Sequence, residues 1–283
     1  MDMVEKIVGL IRETSSSIPE DVEKALKAAQ RREEKGSSAA VVLKTILDNC
    51  KLARKQGTPL CQDTGTLTSF VDARLRRKVT PAVIKKAAAR ATERGYLRKN
   101  CIDSVTGKSH DDNCAEGAPV VHYVDGVNEA GSVTLIMKGG GSENMSRQYS
   151  LPDSSLGAGR DLAGVRKCVL DAVQKTQGYG CAPGILGVCI GGDRATGYEV
   201  AKEQLLRPLD EKRVGETPAA QQLAKLEKSL LDEANSLGIG PMGLGGKTTV
   251  LGLKLASRPR VPASFFVTVA YMCWAARRRS IVL

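Results

Sequence analysis

One short loop presents several reactive side chains in succession. It runs from Pro59 to Thr66, and within it Cys61 is followed directly by Gln62 and Asp63. Proline and glycine near its two ends predict a turn, and its carboxylate and hydroxyl groups can hydrogen-bond to the local backbone. We therefore expect a thiol held on a rigid loop beside polar groups, serving as a nucleophile helped by Asp63 or as a metal ligand.

Two more of the eight cysteines share this context. Cys181 lies in a loop at 178–184, and Cys273 follows the last predicted strand, just before Trp274. Three cysteines lie in periodic apolar stretches and are expected to be buried: Cys50, Cys168 and Cys189. Two more fall in a long polar segment and could be buried or reactive: Cys101 and Cys114.

Common zinc and nucleotide motifs do not fit this sequence. His110 and His122 are not spaced as a metal-binding pair, and no Cys-x-x-Cys pair suggests zinc. The glycine-rich run at 238–248 ends as a phosphate-binding loop does, but Pro241 stands where that motif needs its first glycine. We therefore do not expect nucleotide binding.

Two further features could contact an anion. Lys138 is followed by the glycine triplet 139–141, whose backbone amides could approach a negative group closely. Arg98 follows a predicted helix and could clamp a carboxylate with two hydrogen bonds. A tight turn and a charge at a helix C-terminus are the simpler explanations, and the residues alone leave both readings open.

Composition restricts the class of function. The chain has 42 Lys and Arg against 31 Asp and Glu, a net charge of +11, yet aromatic residues make up only 4%. So few aromatics argue against a base-stacking nucleic-acid platform, and the scattered basic residues fit a solvated surface or attraction of a small anion or an acidic partner subunit. The charged start of the chain does not resemble a signal peptide, and no apolar run could span a bilayer. We predict a cytoplasmic protein that binds neither nucleic acid nor membrane.

Hydrophobic periodicity and turn signals predict both helices and strands. The predicted helices are 4–11, 19–34, 37–57, 80–97, 162–177, 198–206 and 219–236. The predicted strands are 68–71, 120–124, 133–137, 184–192, 249–255 and 265–270, with a turn at Asp125-Gly126 and Gly131 between the second and third. Lys138–Ser142 is predicted to be irregular, and the polar segment 100–117 to be a functional loop.

This order predicts an α+β fold with a mixed or mostly antiparallel sheet backed by helices. The candidate site residues fall on the loops between these elements. We expect residues 1–283 to form a single domain.

Four motifs occur together and in order, and they point to a known family. They are Pro-Leu-Cys61-Gln62-Asp63-Thr-Gly-Thr, Lys138-Gly-Gly-Gly141-Ser, Gly180-Cys181-Ala-Pro-Gly and Pro262-Ala-Ser-Phe with Met272-Cys273-Trp274. In this combination the chain resembles the α-subunit, equivalent to the N-terminal domain, of class I iron–sulfur fumarate hydratases and related tartrate dehydratases. The resemblance extends from about residue 5 to residue 280.

The resemblance implies a metal cofactor. Cys61, Cys181 and Cys273 match the three ligands of a [4Fe–4S] cluster. Three thiolates cannot fill all four iron positions, so one iron would stay open as a Lewis acid.

The resemblance also implies a substrate and a partner. Gln62 and Asp63 match catalytic and substrate-binding positions, Arg98 matches a carboxylate-binding arginine, and Gly141 matches a backbone contact to the substrate. The implied reaction is reversible hydration of fumarate, a C4 dicarboxylate, to malate. The family's remaining substrate arginines and catalytic threonine belong to a β-subunit, so we expect a separate β-chain and an α2β2-type heteromer.

One position departs from the family pattern. Val261 stands where a histidine normally precedes Pro-Ala-Ser. A valine can neither donate a hydrogen bond to a carboxylate nor move a proton. This leaves three alternatives to a fumarate hydratase: an L-tartrate dehydratase α-subunit, an inactive iron–sulfur binding or regulatory subunit, and a structural protein with buried thiols and no cluster.

Overall fold

The computed structural model describes residues 2–125, 129–211 and 217–283. The α-helices are α1 Met3–Ser16, α2 Glu20–Arg32, α3 Ser38–Gln56, α4 Pro81–Glu93, α5 Gly140–Asn144, α6 Leu162–Thr176, α7 Arg194–Gln204 and α8 Pro218–Ser236. The strands are β1 Thr66–Asp72, β2 Cys101–Ile102, β3 Ser109–His110, β4 Val120–Val124, β5 Ser132–Lys138, β6 Arg147–Ser150, β7 Gly184–Gly191, β8 Val250–Arg258, β9 Phe266–Met272 and β10 Arg277–Val282. Within these residues, no helix is both long and apolar enough to cross a bilayer.

The chain divides into two compact units. The first comprises Met1–Pro19, Ile46–Gly140 and Ala275–Leu283, and the second comprises Glu20–Thr45 and Gly141–Trp274. Each unit contains a four-stranded mixed sheet with two antiparallel pairs and one parallel pair. The predicted α+β class with mixed, mostly antiparallel sheets is therefore confirmed. That the whole chain acts as a single domain stays a prediction.

The sheet of the first unit has the order β10-β5-β1-β4. Strand β5 is buried along its whole length, between β1 and β10. The apolar face of α1 and the alanine-rich face of α4 pack on this sheet in one hydrophobic cluster. Thr80 caps α4 through its hydroxyl, which accepts a hydrogen bond from Val83 N, and Pro81 opens the helix as the sequence predicts.

The sheet of the second unit has the order β6-β9-β7-β8. Along β7, the side chains of Leu186, Val188 and Ile190 belong to the cluster that also takes in residues of α6 and α8. Gly187 lies on the other face, where a Cβ would collide with the Ala201 carbonyl of α7. Alternate residues of this strand thus pack against helices on opposite faces of the sheet, which explains its continuous apolar sequence.

Several sequence-based predictions were wrong in detail. Strands β4 and β5 do not pair, because β1 lies between them, and Gly126, part of the turn predicted there, lies outside the described residues. The segment predicted to be irregular contains the short helix α5. Helix α7 begins at Arg194 rather than at 198 because Asp193 caps it, accepting hydrogen bonds from the backbone amides of Ala195 and Thr196. Elements that the sequence pattern missed are β2, β3, β6 and β10.

Two glycines give a matched test of the close packing of α7 on β7. A Cβ added at Gly9 of α1 has no neighbour within 4 Å, so Gly9→Ala should raise the free energy of unfolding by about 0.5–1 kcal/mol through helix propensity. Gly187→Ala should lower it by about 1–3 kcal/mol, because the new methyl group collides with backbone. Urea unfolding of both variants measures the difference, and stabilisation by Gly187→Ala would contradict the packing described here.

Candidate functional site

A cavity of about 680 Å³ in the first unit collects three of the predicted site residues. Gln62, Asp63 and Arg98 all line it. Its remaining lining residues come from the same two stretches of chain, from the 113–119 region and from the glycine triplet: Gly65, Thr66, Leu67, Lys99, Asn100, Cys101, Ile102, Asn113, Ala118, Pro119 and Gly140. The long polar segment predicted to be functional therefore forms one wall of this cavity.

The loop that carries Cys61 is anchored just before the cysteine. Leu60 is buried, its N–H donates to the Ser15 carbonyl at 2.8 Å, and its own carbonyl accepts from the Asn49 side chain at 3.0 Å. Both backbone groups of Leu60 are thus bonded, one to α1 and one to α3. The partly exposed thiol of Cys61 follows this fixed point.

Asp63 connects three segments of the cavity wall. Its Oδ1 accepts hydrogen bonds from Gly65 N at 2.9 Å and from Asn100 Nδ2 at 3.3 Å. Its Oδ2 accepts from Gly140 N at 2.7 Å. The first of these bonds closes a turn within the loop, as the sequence predicts. The other two hold the polar segment and the glycine triplet to the loop.

Glycine is required where the loop meets β5. Gly65 has φ +76°, and a Cβ there would lie 2.6 Å from the carbonyl carbon and oxygen of Lys138. At Gly139 a Cβ would lie 2.7 Å from Oδ2 of Asp63. Side chains at these positions would push the two backbones apart. The glycine triplet therefore allows close approach of the Asp63 carboxylate to backbone.

The part of the cavity wall formed by residues 98–101 depends on two buried polar side chains. Thr64 is 1% exposed, and its Oγ1 accepts from Arg98 N at 3.2 Å and from Asn100 Nδ2 at 3.1 Å. Asn113 is 5% exposed, and its Oδ1 accepts from Asn100 N at 2.8 Å and from Cys101 N at 3.1 Å. Sequence reasoning missed both Asn100 and Asn113 as site residues, because single asparagines in a polar loop carry no spacing signal.

Arg98 brings a positive charge to this cavity. Its backbone is fixed by Thr64, but within the described ranges its guanidinium has no hydrogen bond or ion pair. The neighbouring Lys99, by contrast, pairs with Asp111 at 3.1 Å on the surface. A guanidinium that lines a cavity and is not bonded to protein is suited to bidentate binding of a carboxylate.

Cys181 and Cys273 lie close together in the second unit. Trp274 N donates to the Cys181 carbonyl at 3.3 Å, and Cys273 N donates to Ser142 Oγ at 3.1 Å. Cys181 has φ +51°, a left-handed conformation that is unusual for a residue other than glycine. Such backbone strain is more common at functional positions than elsewhere.

Tyr271 is buried beside both thiols. Its ring fills the space above Gly180 and Gly184, where a Cβ at either glycine would collide with it. Burial raises the pKa of its hydroxyl, and the nearby Cys273 and Cys181 raise it further. Gly180 and Gly184, on either side of Cys181, thus leave room for the aromatic ring of Tyr271 to pack against the cysteine loop.

Two predicted positions lie in the second unit, outside the 680 Å³ cavity. Gly141 is one residue beyond Gly140, which does line the cavity. Val261 is 64% exposed in the 259–264 loop, where the Arg260 side chain donates to its carbonyl at 3.2 Å. The role of Gly141 in substrate binding stays a prediction, and Val261 serves no packing function.

The eight thiols differ in environment. Burial raises the pKa of Cys168 to about 12 and that of Cys189 to about 11. Desolvation also raises the pKa values of Cys101 and Cys114. The three predicted ligands are partly exposed and form no disulfide bond: Cys61, Cys181 and Cys273. Across the described parts of the chain, no group of three His, Cys, Asp or Glu side chains converges as a metal site.

The differences in exposure and pKa among the thiols predict which of them can be alkylated. Iodoacetamide at neutral pH should modify Cys61, Cys181 and Cys273 in the folded protein, since they are partly exposed. Cys168 and Cys189 should react only on unfolding, because their raised pKa values leave almost no thiolate. Peptide mass spectrometry after timed labelling, with a sample in urea as the control, measures this. Early labelling of Cys168 would contradict it.

Comparison with known proteins identifies the family. A family model described as fumarate hydratase (Fumerase) matches residues 4–282. A putative class I fumarate hydratase of Geobacillus stearothermophilus is 48% identical over 98% of this chain, and the chain spans about half (54%) of that relative's length.

Two relatives bear the names of α-subunits. A putative L(+)-tartrate dehydratase subunit alpha of Methanocaldococcus jannaschii is 32% identical over 98% of this chain and 96% of its own length. The L(+)-tartrate dehydratase subunit alpha of Escherichia coli is 29% identical over 95% of this chain and 86% of its own length. With a family match over nearly its whole length, this chain belongs to the fumarate hydratase (Fumerase) family.

Proposed function

We propose that the chain is the α-type subunit of a class I fumarate hydratase, which adds water reversibly to the double bond of fumarate. The observation that carries the proposal is the 680 Å³ cavity in which the guanidinium of Arg98, without a protein partner in the described ranges, lies with Gln62 and Asp63. The guanidinium of Arg98 could bind a carboxylate of a small dicarboxylic acid by its charge. The amide of Gln62 and the carboxylate of Asp63 could position the substrate and the water that adds to it.

In this proposal, Arg98 binds one substrate carboxylate and Gln62 supplies neutral hydrogen bonds. Asp63 already accepts three hydrogen bonds, whereas a carboxylate has about four acceptor positions. It therefore retains capacity for one further donor, such as the hydroxyl of malate or the attacking water. Because three bonds fix its orientation, this acceptor would stay in one place during the reaction.

We further propose that Cys61, Cys181 and Cys273 hold a [4Fe–4S] cluster. Their chemistry fits, since all three thiols are outside disulfide bonds, partly exposed and carried on loops or at a strand end, whereas the other five are buried or have raised pKa values. When bound, such a cluster would supply a Lewis acid at its open iron. The contribution of Gly141 as a backbone contact belongs to the same proposal.

The remaining half of the pocket is proposed to come from a second polypeptide. The two tartrate dehydratase relatives are named α-subunits. We therefore propose a cytoplasmic heteromer of the α2β2 type, in which a β-subunit completes the site.

L-Tartrate dehydration is the second candidate. The Methanocaldococcus relative bears that name and matches at 96% of its own length. Tartrate is also a C4 dicarboxylate and loses water in the same class of reaction, so the cavity described here would suit either substrate. We rank fumarate first because the relative named fumarate hydratase has the higher identity, 48%.

Anaerobic purification with the β-subunit tests the proposal directly. We expect visible absorbance from the cluster and reversible hydration of fumarate, with Arg98→Ala lowering kcat/KM about 100-fold or more through loss of the carboxylate clamp. The matched control is Arg94→Ala, which removes an arginine outside the cavity lining and its surface ion pair with Glu5, and should change kcat/KM less than about threefold.

The outcomes separate the alternatives. A variant with all three ligand cysteines changed to serine should lack the absorbance and the activity. Turnover of tartrate but not fumarate would favour the second candidate. A complex with the cluster but no turnover of either would indicate a binding or regulatory subunit, and full absorbance in the triple variant would refute the proposed ligands.

Val261→His tests the departure from the family pattern. The side chain is exposed, so the change should not disturb packing. We expect turnover of fumarate to rise, because histidine can donate a hydrogen bond to a carboxylate and transfer protons. Steady-state kinetics of the cluster-loaded complex measure the effect, with Val105→His as a control at another exposed valine (93% exposed). Unchanged turnover would show that this position is dispensable here.

A further inference from the structure

We propose that Asn113 is a positioning residue that sets the geometry of Arg98 and Asn100 in the substrate cavity. The inference rests on the proposed function, because it assigns Asn113 a role in the same site. Its basis is a set of four hydrogen bonds made by one buried side chain.

The Asn113 side chain uses its entire bonding capacity on the backbone and one hydroxyl. Its Oδ1 accepts from Asn100 N at 2.8 Å and Cys101 N at 3.1 Å. Its Nδ2 donates to the Arg98 carbonyl at 2.7 Å and to Thr92 Oγ1 at 2.9 Å. A neutral amide has two acceptor positions and two donors, so nothing remains with which to bind a substrate. Asn113 must therefore act through the residues that it holds.

Two of the residues held by Asn113, namely Arg98 and Asn100, are hydrogen-bonded to the loop that carries Asp63. Asn100 donates its side chain to Asp63 Oδ1 and to Thr64 Oγ1, and Thr64 accepts from Arg98 N. The bonds form a closed network that runs from Asn113 through residues 98–101 to the loop after Cys61. Because every member is fixed by at least two bonds, a change at Asn113 should move Arg98 and Asn100 together.

Asparagine is suited to this position for two reasons. Asn113 has φ +61°, which asparagine, aspartate and glycine tolerate better than other residues. Of these three, aspartate has no N–H₂ donor and glycine has no side chain. Asn113→Asp is therefore the sharpest variant, since it keeps the backbone and the Oδ1 acceptor and places an oxygen against the Arg98 carbonyl.

The control variant is Thr92→Val. It removes the one partner of Asn113 that lies outside the cavity lining, while the bonds to Arg98, Asn100 and Cys101 stay intact. Both variants lose a buried hydrogen bond, so both should lower the Tm. Only Asn113→Asp should alter the cavity wall.

The experiment is steady-state kinetics on the anaerobically purified, cluster-loaded complex with fumarate. For Asn113→Asp we expect KM to rise about 10- to 100-fold with a smaller loss in kcat, since a displaced Arg98 weakens binding in both the ground state and the transition state. For Thr92→Val we expect KM and kcat within about threefold of wild type. In an Arg98→Ala background, adding Asn113→Asp should lower kcat/KM much less than it does in the wild type, because the part of its effect that acts through Arg98 is already lost.

A second readout does not depend on activity. Hydrogen exchange of the Asn100 and Cys101 amides should accelerate at least about tenfold in Asn113→Gly, which removes the Oδ1 acceptor of both amides, and stay near wild type in Thr92→Val. Multiplicative losses in the double variant, or an unchanged KM with accelerated exchange, would overturn the positioning role and leave the proposed function standing. Absence of turnover with either fumarate or tartrate in the cluster-loaded wild-type complex would overturn the proposed function and this inference with it.

Discussion

The carboxylate of Asp63 is the contact on which the cavity of the first unit depends. It bonds to Gly65 in its own loop, to Asn100 in the polar segment and to Gly140 at the end of the glycine triplet. These three segments are far apart in sequence. A charged acceptor with several N–H donors joins them, and charge-assisted bonds of this kind are stronger than neutral ones.

The rest of the cavity follows from that contact and from the packing behind it. The loop can present Asp63 because Leu60 is bonded to both α1 and α3. The glycine triplet can reach the carboxylate because β5, which leads into it, is buried and held between two strands. Rigid elements thus fix the ends of short polar loops, and the loops carry the chemistry, an arrangement common to many binding sites.

In the second unit, backbone conformation and close packing position the two cysteines. There the backbone around Cys181 is strained and the flanking glycines accommodate the ring of Tyr271. Hydrogen bonds from Trp274 to the Cys181 carbonyl and from Cys273 to Ser142 keep the two cysteine segments adjacent. Gly180 and Gly184 are therefore needed here because larger residues would collide with the Tyr271 ring. The same two glycines belong to the Gly-Cys-Ala-Pro-Gly motif of the family.

The sequence by itself determined the fold class, the family and which cysteines are buried. Periodicity and caps such as Thr80-Pro81 act within a few residues, so they can be read locally, and Cys50, Cys168 and Cys189 lie in apolar stretches that predict their burial correctly. The division into two compact units, the order of the strands and the helical turn in the glycine triplet were decided by tertiary structure. So was the role of Asn113, because its four bonds reach residues 12 to 21 positions away, and no local pattern records which partners a single amide will meet.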